Sequence, residues 1–299
     1  MHEGTSTEVL IASVSDLHTD FAENRDDVVK LALAIHERRA DLVIIAGDVS
    51  HKNERIQRVL QAFAETVPRV AYLPGNHDLW FDVPDAKSQP QLDTWVRYRQ
   101  ELRALSESAG AHYLPAAPLY LGSTAVVGSC GWYDYSLMPA SLRASVDPSV
   151  LESKQYGGLQ WSDARFIAFR DRAGALMSDE GVARVMEEEL RAQLAEADQR
   201  PEVQQIVAVT HHQPFYEVVT RTGTLPWEYF NAFMGSVGLG EVIRSSDKVR
   251  WAIYGHTHQV GRYQLGPITA YGTPLGYPRE RRGLDAEALL KSRIGWIEL

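Results

Sequence analysis

The chain of 299 residues carries 30 basic and 39 acidic side chains, which give a net charge of −9, and 44% of its residues are hydrophobic. This composition is typical of a globular protein with a sizeable core, and it excludes collagen-like, low-complexity and wholly disordered chains. The negative charge argues against broad binding to nucleic acid or anionic lipid, although a bound metal ion could still attract a phosphate.

Several features of the sequence predict a cytoplasmic protein that does not enter a membrane. The stretch from Met1 to Asp16 lacks the basic start and the long apolar segment of a secretion signal. No apolar run in the sequence approaches the roughly 18 residues that a membrane span needs. The single cysteine, Cys130, cannot form an internal disulfide, which is consistent with a reducing compartment.

The first part of the chain alternates between short aliphatic runs and helical patterns. Val9–Val14, Leu42–Ala46 and Val70–Leu73 are near-continuous apolar runs, as expected for strands of a sheet that is covered on both faces. Residues 25–39 repeat apolar side chains at helical spacing, and so do residues 56–63. This order of strands and helices is typical of a layered α/β protein.

The rest of the chain adds strands around a middle of different composition. The predicted strands are Ala125–Gly128, Ile206–Thr210 and Val249–Tyr254, with closing strands at residues 268–270, 272–274 and 294–299. Residues 132–200 lose the strand pattern, and within them Met186–Ala197 is predicted to form a solvated surface helix. We expect one domain over residues 1–299, in which residues 132–200 form a helical and aromatic insertion or cap.

Polar side chains directly follow five of the predicted strands. In chain order they are Asp16 and His18, then Asp48, then Asn76, His77 and Asp78, then His211 and His212, and finally His256 and His258. Ligands and active sites collect at the carboxyl ends of strands in open α/β sheets. Glycines beside four of these clusters permit tight turns and a close approach of the backbone.

The types of these side chains point to metal binding. The candidate ligands are Asp16, His18, Asp48, Asn76, His211, His256 and His258. They form a mixed nitrogen and oxygen set without thiolate, which suits manganese, iron or zinc. Seven ligands are too many for one such ion, but with Asp48 shared they form two sets of four. Two divalent or trivalent ions roughly 3.5–4 Å apart could activate a bridging hydroxide and hold both oxygens of a phosphoryl displacement.

Each motif taken alone has a simpler interpretation. Gly-Asp and Gly-Asn are ordinary turn dipeptides, and an Asp and a His after a strand are usually a cap and a polar loop residue. The succession of five such motifs, each at a strand end, favours the metal site. One choice stays open because His211 and His212 are adjacent; His211 directly ends its apolar run and is preferred on strand phase.

The sequence resembles the calcineurin-like metallophosphoesterase superfamily in five motif blocks, which are Asp16-Leu17-His18, Gly47-Asp48, Gly75-Asn76-His77-Asp78, His211 and Gly255-His256-Thr257-His258. The resemblance implies an α/β fold, a four-layer α/β/β/α sandwich with a dinuclear centre at the sheet edge. It assigns the ligands of the first metal to Asp16, His18, Asp48 and His258, and those of the second to Asp48, Asn76, His211 and His256. His77 would then lie beside the substrate as a proton donor, with Asp78 orienting it.

These observations predict a metal-dependent hydrolase of phosphate esters, in which a bridging hydroxide attacks phosphorus. The expected substrate is a small or nucleotide-like phosphodiester or phosphomonoester, since the net charge of −9 disfavours bulk nucleic acid. Aromatic residues such as Tyr135 and Trp161 would either stack on a base or sugar or pack the core of the cap, and packing is favoured. The alternative function is a catalytically silent scaffold of the same fold, against which the filled ligand positions and His77 weigh.

Overall fold

The computed structural model describes residues 9–299. Residues 1–8, on which part of the expectation about a secretion signal depends, lie outside the described residues. Within residues 9–299, no helix combines the length and the apolar character needed to cross a membrane.

The strands form two main sheets and a short hairpin. In chain order they are β1 (Leu10–Val14), β2 (Leu42–Ala46), β3 (Val70–Leu73), β4 (His112–Tyr113), β5 (Leu119–Leu121), β6 (Thr124–Ser129), β7 (Gln155–Tyr156), β8 (Leu159–Gln160), β9 (Gln205–Thr210), β10 (Val249–Tyr254), β11 (Gly261–Leu265), β12 (Ile268–Gly272) and β13 (Gly295–Glu298). The first sheet has the order β13-β1-β2-β3-β4, the second has the order β11-β12-β10-β9-β6-β5, and β7 pairs with β8. Strands β1, β2 and β3 run parallel, and so do β6, β9 and β10. The carboxyl ends of these neighbours therefore lie along one edge of each sheet.

Helices connect and cover the sheets. They are α1 (Ala22–Glu37), α2 (Asn53–Ala64), α3 (Asn76–Leu79), α4 (Thr94–Val96), α5 (Leu102–Ser108), α6 (Ala140–Arg143), α7 (Pro148–Ser153), α8 (Asp163–Phe166), α9 (Asp179–Asp198), α10 (Trp227–Phe230), α11 (Val237–Arg244) and α12 (Ala286–Arg293). A π-helical turn over Arg97–Glu101 joins α4 to α5.

Three apolar clusters show how these elements pack. Ile44 of the first sheet and Val209 of the second belong to a cluster made by the facing sides of the two sheets. Their chain neighbours point the other way, because successive side chains alternate across a strand. Ile45 packs with side chains of α1 and α2, and Ala208 packs with side chains of α9 and α11. The mixed α/β class predicted from the sequence is confirmed.

Most of the predicted elements are confirmed, namely the six central strands and the helices α1 and α2. Residues 268–270 and 294–299 correspond to β12 and β13, whereas in residues 272–274 Gly272 ends β12 and Pro274 makes an isolated bridge to Ser15. Strand β11 was not predicted, because its sequence GRYQL contains no apolar run. These residues form a strand because they pair with β12, and not because their own sequence has the pattern of a strand.

The middle of the chain differs from the expectation in the packing of α9. Leu190 and Leu194 of this helix are buried against the second sheet, so α9 belongs to the body and only its outer face is solvated. Of its acidic residues, Glu188 and Glu196 are exposed on that outer face, whereas Glu187 and Glu189 are half-buried and bind Ser236 and Arg99. Helices α6 to α8 and the β7–β8 hairpin make up much of the remaining stretch, and its role as a cap stays a prediction.

Gln193 shows how closely α9 is bound to the sheet. Its Oε1 accepts from the backbone nitrogen of Gly128 at 3.0 Å, and its Nε2 donates to the carbonyls of Gly128 at 3.1 Å and Leu114 at 2.9 Å. The side chain therefore forms hydrogen bonds with backbone groups of β6, as a neighbouring strand would.

We expect Gln193→Leu to lower the free energy of unfolding by roughly 1–3 kcal/mol, because buried backbone groups would lose their partners. Urea denaturation followed by circular dichroism measures this change. The control is Arg184→Leu on the exposed face of the same helix, which should change the free energy by less than about 0.5 kcal/mol. Equal effects of the two substitutions would contradict the assigned role of Gln193.

Candidate metal centre

The seven candidate ligands come together where five parallel strands end. Strands β1, β2 and β3 of the first sheet lead into Asp16, Asp48 and Asn76, and β9 and β10 of the second sheet lead into His211 and His256. Because the two sheets pack face to face, their carboxyl edges meet, and one shared site receives side chains from both. This is the arrangement predicted from the motifs.

Backbone hydrogen bonds join the loops that carry these residues. The nitrogen of Asp16 donates to the carbonyl of Gly47 at 2.9 Å, and the nitrogen of Gly255 donates to the carbonyl of His211 at 2.9 Å. The nitrogen of His256 donates across the two sheets to Oδ1 of Asp16 at 2.8 Å. The loops are therefore held in place by main-chain contacts as well as by any bound ion.

Five of the candidate ligands have a left-handed backbone. The φ angles are 52° for Asp16, 40° for His18, 56° for Asp48, 77° for His256 and 54° for His258. Such angles are uncommon for residues other than glycine, and they cluster at functional sites, where the surrounding structure enforces them. Here they permit sharp turns after β1, β2 and β10. Asp16 and His18 thereby reach the same ligand group, and His256 and His258 reach the two neighbouring groups.

The first group of ligands faces inward on a small space. Asp16, His18, Asp48 and His258 each offer one ligand atom, and these atoms lie within 4.8 Å of one another. Nε2 of His18 lies 2.8 Å from Nε2 of His258, and Nε2 of His258 lies 3.6 Å from Oδ1 of Asp16. The other nitrogen of His258, Nδ1, donates to Glu280 at 2.8 Å, so that Nε2 faces the group.

The second group is built in the same way. Ligand atoms of Asp48, His211 and His256 lie within 4.8 Å of one another. Oδ1 of Asn76 lies 3.1 Å from Nε2 of His211 and 3.0 Å from Nδ1 of His256. The outer nitrogens donate to backbone carbonyls, His211 to Ala46 at 2.9 Å and His256 to Phe233 at 3.0 Å. Each imidazole therefore turns its remaining nitrogen toward the Asn76 oxygen.

Asp48 belongs to both groups and controls their electrostatics. Burial acts to raise its pKa, but the nearby His211 and His77 lower that pKa well below its usual range. Burial would lower the pKa of His211, yet the Asp48 carboxylate, 3.3 Å away, raises the pKa of His211 to about 9. Without a metal ion, a proton on His211 therefore compensates the buried charge of Asp48.

These donor sets fit divalent metal ions. Nitrogen and oxygen atoms converge at 2.8–3.1 Å at the His18–His258 pair and around the Asn76 oxygen. Such an arrangement is repulsive unless protons or cations lie between the atoms. Imidazole, carboxylate and amide oxygen are ligands of zinc, manganese and iron, so the residues present fit the ions that the sequence predicted.

The structure brings His211, and not His212, into the group with Asp48. Nδ1 of His212 lies 3.3 Å from the carbonyl of Cys130, and its ring packs against Trp132 and His256 at centroid distances of 4.9 Å and 4.3 Å. Burial lowers the pKa of His212 to about 3, so this ring stays neutral. The strand-phase preference for His211 therefore agrees with the geometry.

The expectation that Asp78 orients the His77 ring differs from the structure. Oδ1 of Asp78 accepts from the backbone nitrogens of Val49 and Ser50 at 2.8 Å, and Oδ2 accepts from that of Gly75 at 2.9 Å. Within residues 9–299, these bonds use both carboxylate oxygens, and the helix start at Gly75 turns the side chain inward, away from the imidazole. Asp78 instead ties the loop after β3 to the loop after β2, and burial raises its pKa to about 7.

The His77 ring is positioned by stacking on Trp80. The two ring centroids are 3.6 Å apart with an interplanar angle of 27°. The backbone nitrogen of His77 donates to Oδ1 of Asp48 at 2.9 Å, while its Nε2 remains 3.9 Å from Oδ2 of the same residue. His77 is thus adjacent to both groups, and its side chain, 18% exposed, reaches the space above them.

Sequence reasoning missed Trp80, Glu280 and Asp163. Trp80 directly follows α3, so its position three residues after His77 was a usable signal. Glu280 accepts from His258, and Asp163 accepts from Nδ2 of Asn76 at 2.9 Å. Both lie far from their partners in the sequence, and neither belongs to a motif, so only the folded structure reveals them.

A cavity of about 320 Å³ opens directly onto the ligand groups. Its lining includes Asp48, His77, His256 and His258, together with the apolar and aromatic side chains of Trp161, Trp227, Phe230, Met234 and Tyr277. Trp161 therefore lies at the site, whereas Tyr135, the other aromatic residue named in the prediction, is buried in the core. Among the described residues that line this cavity, none is Lys or Arg.

Comparison with known proteins gives one family match and several structural neighbours. The sequence profile described as calcineurin-like phosphoesterase matches residues 9–260. The acyl-carrier-protein phosphodiesterase PptH of Mycobacterium tuberculosis is 25% identical over 148 residues, which are 48% of this chain and 44% of that protein. The aligned region thus spans less than half of that relative.

Two solved structures extend the comparison to the fold. The crystal structure of phosphopantetheinyl hydrolase (PptH) from Mycobacterium tuberculosis superposes with a TM-score of 0.67 at 20% identity, covering 98% of this chain and 97% of that chain. A dimetal phosphatase from Danio rerio has a TM-score of 0.47 at 14% identity, covering 88% of this chain and 86% of that chain. At such identities the first likeness shows a shared fold.

We expect metal binding to release the proton of His211, because the imidazole must be neutral to act as a ligand. Apparent affinity for Mn²⁺ should therefore rise with pH, by up to about tenfold per unit, until the pH reaches the His211 pKa of about 9. Calorimetry at about pH 8 in buffers of different ionisation enthalpy counts the released protons.

The control uses the neighbouring histidine. His211→Ala should weaken binding and remove this proton release, whereas His212→Ala should leave both nearly unchanged. Undiminished proton release in His211→Ala would show that another group carries the proton.

Proposed function

The chain belongs to the calcineurin-like phosphoesterase family, and from this premise we propose that it is a phosphoric ester hydrolase that cleaves a phosphodiester with one uncharged, largely apolar organic group. The phosphate would bind at the metal centre and the organic group in the aromatic cavity. The observation that carries the proposal is the position of this cavity, whose lining includes Asp48, His256 and His258 of the two ligand groups.

The charge of the cavity lining favours a diester over a monoester. A phosphomonoester carries about −1.5 to −2 charges at neutral pH, whereas a diester carries one. Since no Lys or Arg lies among the described lining residues, side chains offer little compensation for a second charge. Trp161, Trp227 and Phe230 offer aromatic faces for an apolar group, and Gln160 and Asn231 add amides that could bind polar atoms along it.

The relative suggests which diester to test first. Its name is acyl-carrier-protein phosphodiesterase, and the similar structure is that of a phosphopantetheinyl hydrolase. A phosphopantetheinyl group is a flexible chain of methylene and methyl groups interrupted by amides, which matches an aromatic cavity of about 320 Å³ with amide side chains. We therefore propose phosphopantetheinyl diesters, including those carried on a protein, as substrates.

The proposal uses the ligand sets predicted from the sequence. A first metal ion would be held by Asp16, His18, Asp48 and His258, and a second by Asp48, Asn76, His211 and His256. When bound, these ions would neutralise phosphate charge and activate a water for attack on phosphorus. The contribution of the chain is to hold the ligands at the meeting edges of two sheets, with Asp48 between the two sets.

We infer that His77 donates a proton to the leaving oxygen. In support, it lines the cavity, it lies outside both ligand groups, and stacking on Trp80 fixes its ring plane. Burial lowers the pKa of His77 in the free protein, and the Asp48 carboxylate opposes that shift. A bound phosphate anion would add to the effect of Asp48 and favour the protonated ring.

An ester panel tests the function directly. The Mn²⁺-loaded protein should hydrolyse bis(4-nitrophenyl) phosphate more efficiently than 4-nitrophenyl phosphate, and it should release phosphopantetheine from a phosphopantetheinylated carrier protein, as followed by mass spectrometry. Trp227→Ala should raise KM for the carrier substrate, because it removes part of the cavity wall. Trp296→Ala, in β13 and outside this cavity, is the matched control.

Two outcomes of the panel would contradict the proposal. A preference for the monoester would overturn the diester assignment while leaving the hydrolase in place. Binding of metal without hydrolysis of any ester would favour the alternative function, a scaffold of this fold.

The role of His77 is tested through the leaving group. We expect His77→Asn to retain metal and to lose about 10²–10⁴-fold in rate on esters with alkoxide leaving groups, since a positioned proton donor contributes this much. Esters of nitrophenol should lose far less, because their leaving oxygen needs no proton. Stopped assays with both ester types and metal analysis check this. Equal losses on both would mean that His77 binds phosphate instead of donating a proton.

A further inference from the structure

A buried carboxylate, that of Asp163, collects four hydrogen bonds beside the second ligand group. The residue begins α8 and is 1% exposed. Its Oδ1 accepts from Nδ2 of Asn76 at 2.9 Å and from Nε1 of Trp80 at 2.6 Å. Its Oδ2 accepts from Nε1 of Trp161 at 2.8 Å and from the hydroxyl of Tyr133 at 3.2 Å. Two distant segments, residues 76–80 and the segment of Tyr133, therefore meet the segment of Asp163 at one side chain.

The contact with Asn76 determines which end of its amide faces the ligand group. An ionised carboxylate accepts hydrogen bonds and donates none, so the NH₂ of Asn76 must point toward Asp163. The carbonyl oxygen then points the other way, toward His211 and His256. With the amide reversed, two N–H groups would face the space that a metal ion should occupy, and no ligand atom would be offered.

Resting on the proposed role of Asn76 as a metal ligand, we propose that Asp163 is the positioning residue that fixes the Asn76 amide for metal binding. The same carboxylate holds Trp161, a wall of the substrate cavity, and Trp80, on which His77 stacks. Asp163 thus joins the metal centre, the proton donor and the cavity wall through one buried group.

The chain contains a second carboxylate that serves as an internal comparison. Asp179 accepts from Nε1 of Trp132 at 2.9 Å and from the hydroxyl of Tyr135 at 2.6 Å, and it pairs with Lys154. Among the described residues, none of its hydrogen-bond partners is a candidate metal ligand. A purely structural role for Asp163 would resemble that of Asp179.

The test measures metal binding and does not depend on activity. In equilibrium dialysis against Mn²⁺, the wild-type chain should bind two ions. Asp163→Leu keeps a side chain of similar size that accepts no hydrogen bond. It should lower the affinity for one of the two ions by about 10–100-fold, as loss of a residue that hydrogen-bonds a metal ligand typically does. Asp179→Leu should retain the affinity for both ions, even if it unfolds at a lower temperature.

A second substitution separates positioning from packing. A carboxylate ligand has two equivalent oxygens and needs no partner to orient it. When combined with Asp163→Leu, Asn76→Asp should therefore restore the affinity for the ion that Asp163→Leu weakened. Alone, Asn76→Asp should lower the affinity for that ion, because it places a second carboxylate against Asp163, where the Asn76 nitrogen now lies 2.9 Å away. The single variant keeps Asp163 in place, so it tests the inference even if Asp163→Leu fails to fold.

The outcomes distinguish the inference from the function on which it rests. Wild-type protein that binds no Mn²⁺ would overturn both. Two tight ions in Asp163→Leu, or a double variant no better than Asp163→Leu, would overturn the positioning role alone. If Asp163 orients the Asn76 amide, Asn76→Asp should lower the affinity for the ion in the wild-type chain and raise it in the Asp163→Leu variant.

Discussion

The carboxylate of Asp48 lies where the two ligand groups meet, and much of the local geometry follows from the need to compensate its buried charge. Oδ1 accepts from the backbone nitrogen of His77, and His211 and His18 approach its two oxygens. Such close approach requires small neighbours. A Cβ on Gly75 would lie 2.6 Å from both the Asp48 nitrogen and Cε1 of His211, which real structures do not tolerate. Glycine in this motif is therefore a steric requirement of the site rather than a turn preference.

The buried carboxylate of Asp48, through the cations that it could bind, explains how an acidic protein could attract an anionic substrate. The chain has a net charge of −9, and no Lys or Arg lies among the described residues of the cavity lining. In the proposed function, positive potential at the phosphate would come from bound ions, whose proposed ligands include two carboxylates, Asp16 and Asp48. The aromatic wall would then act on the other half of the substrate, through apolar contact. Recognition would be divided between an electrostatic part at the strand ends and an apolar part formed by the later segments of the chain.

Prediction from the sequence succeeded for the central strands and for the sheet edge at which the candidate ligands meet. Each candidate ligand directly follows an apolar run, so strand ends and their edge of the sheet could be inferred without knowing the packing. It failed where a side chain acts across the fold. Asp163 meets Asn76 across 87 positions in the chain, and nothing in the sequence around Asp163 marks it as more than a helix start. Asp78 lies beside His77 in the sequence, yet its carboxylate turns to backbone nitrogens, because a neighbour in sequence need not be a neighbour of the side chain.

The pairing of β1 with β13, in which Leu10 lies opposite Glu298, has a consequence for how the protein matures. During synthesis β1 leaves the ribosome early, but its antiparallel neighbour and the histidine at position 258 are made much later. Contacts between such distant segments form slowly, and an unpaired strand edge invites association with other chains. The first group of candidate ligands, which includes this histidine, and the paired edge of β1 can therefore be completed only after these later segments have been made.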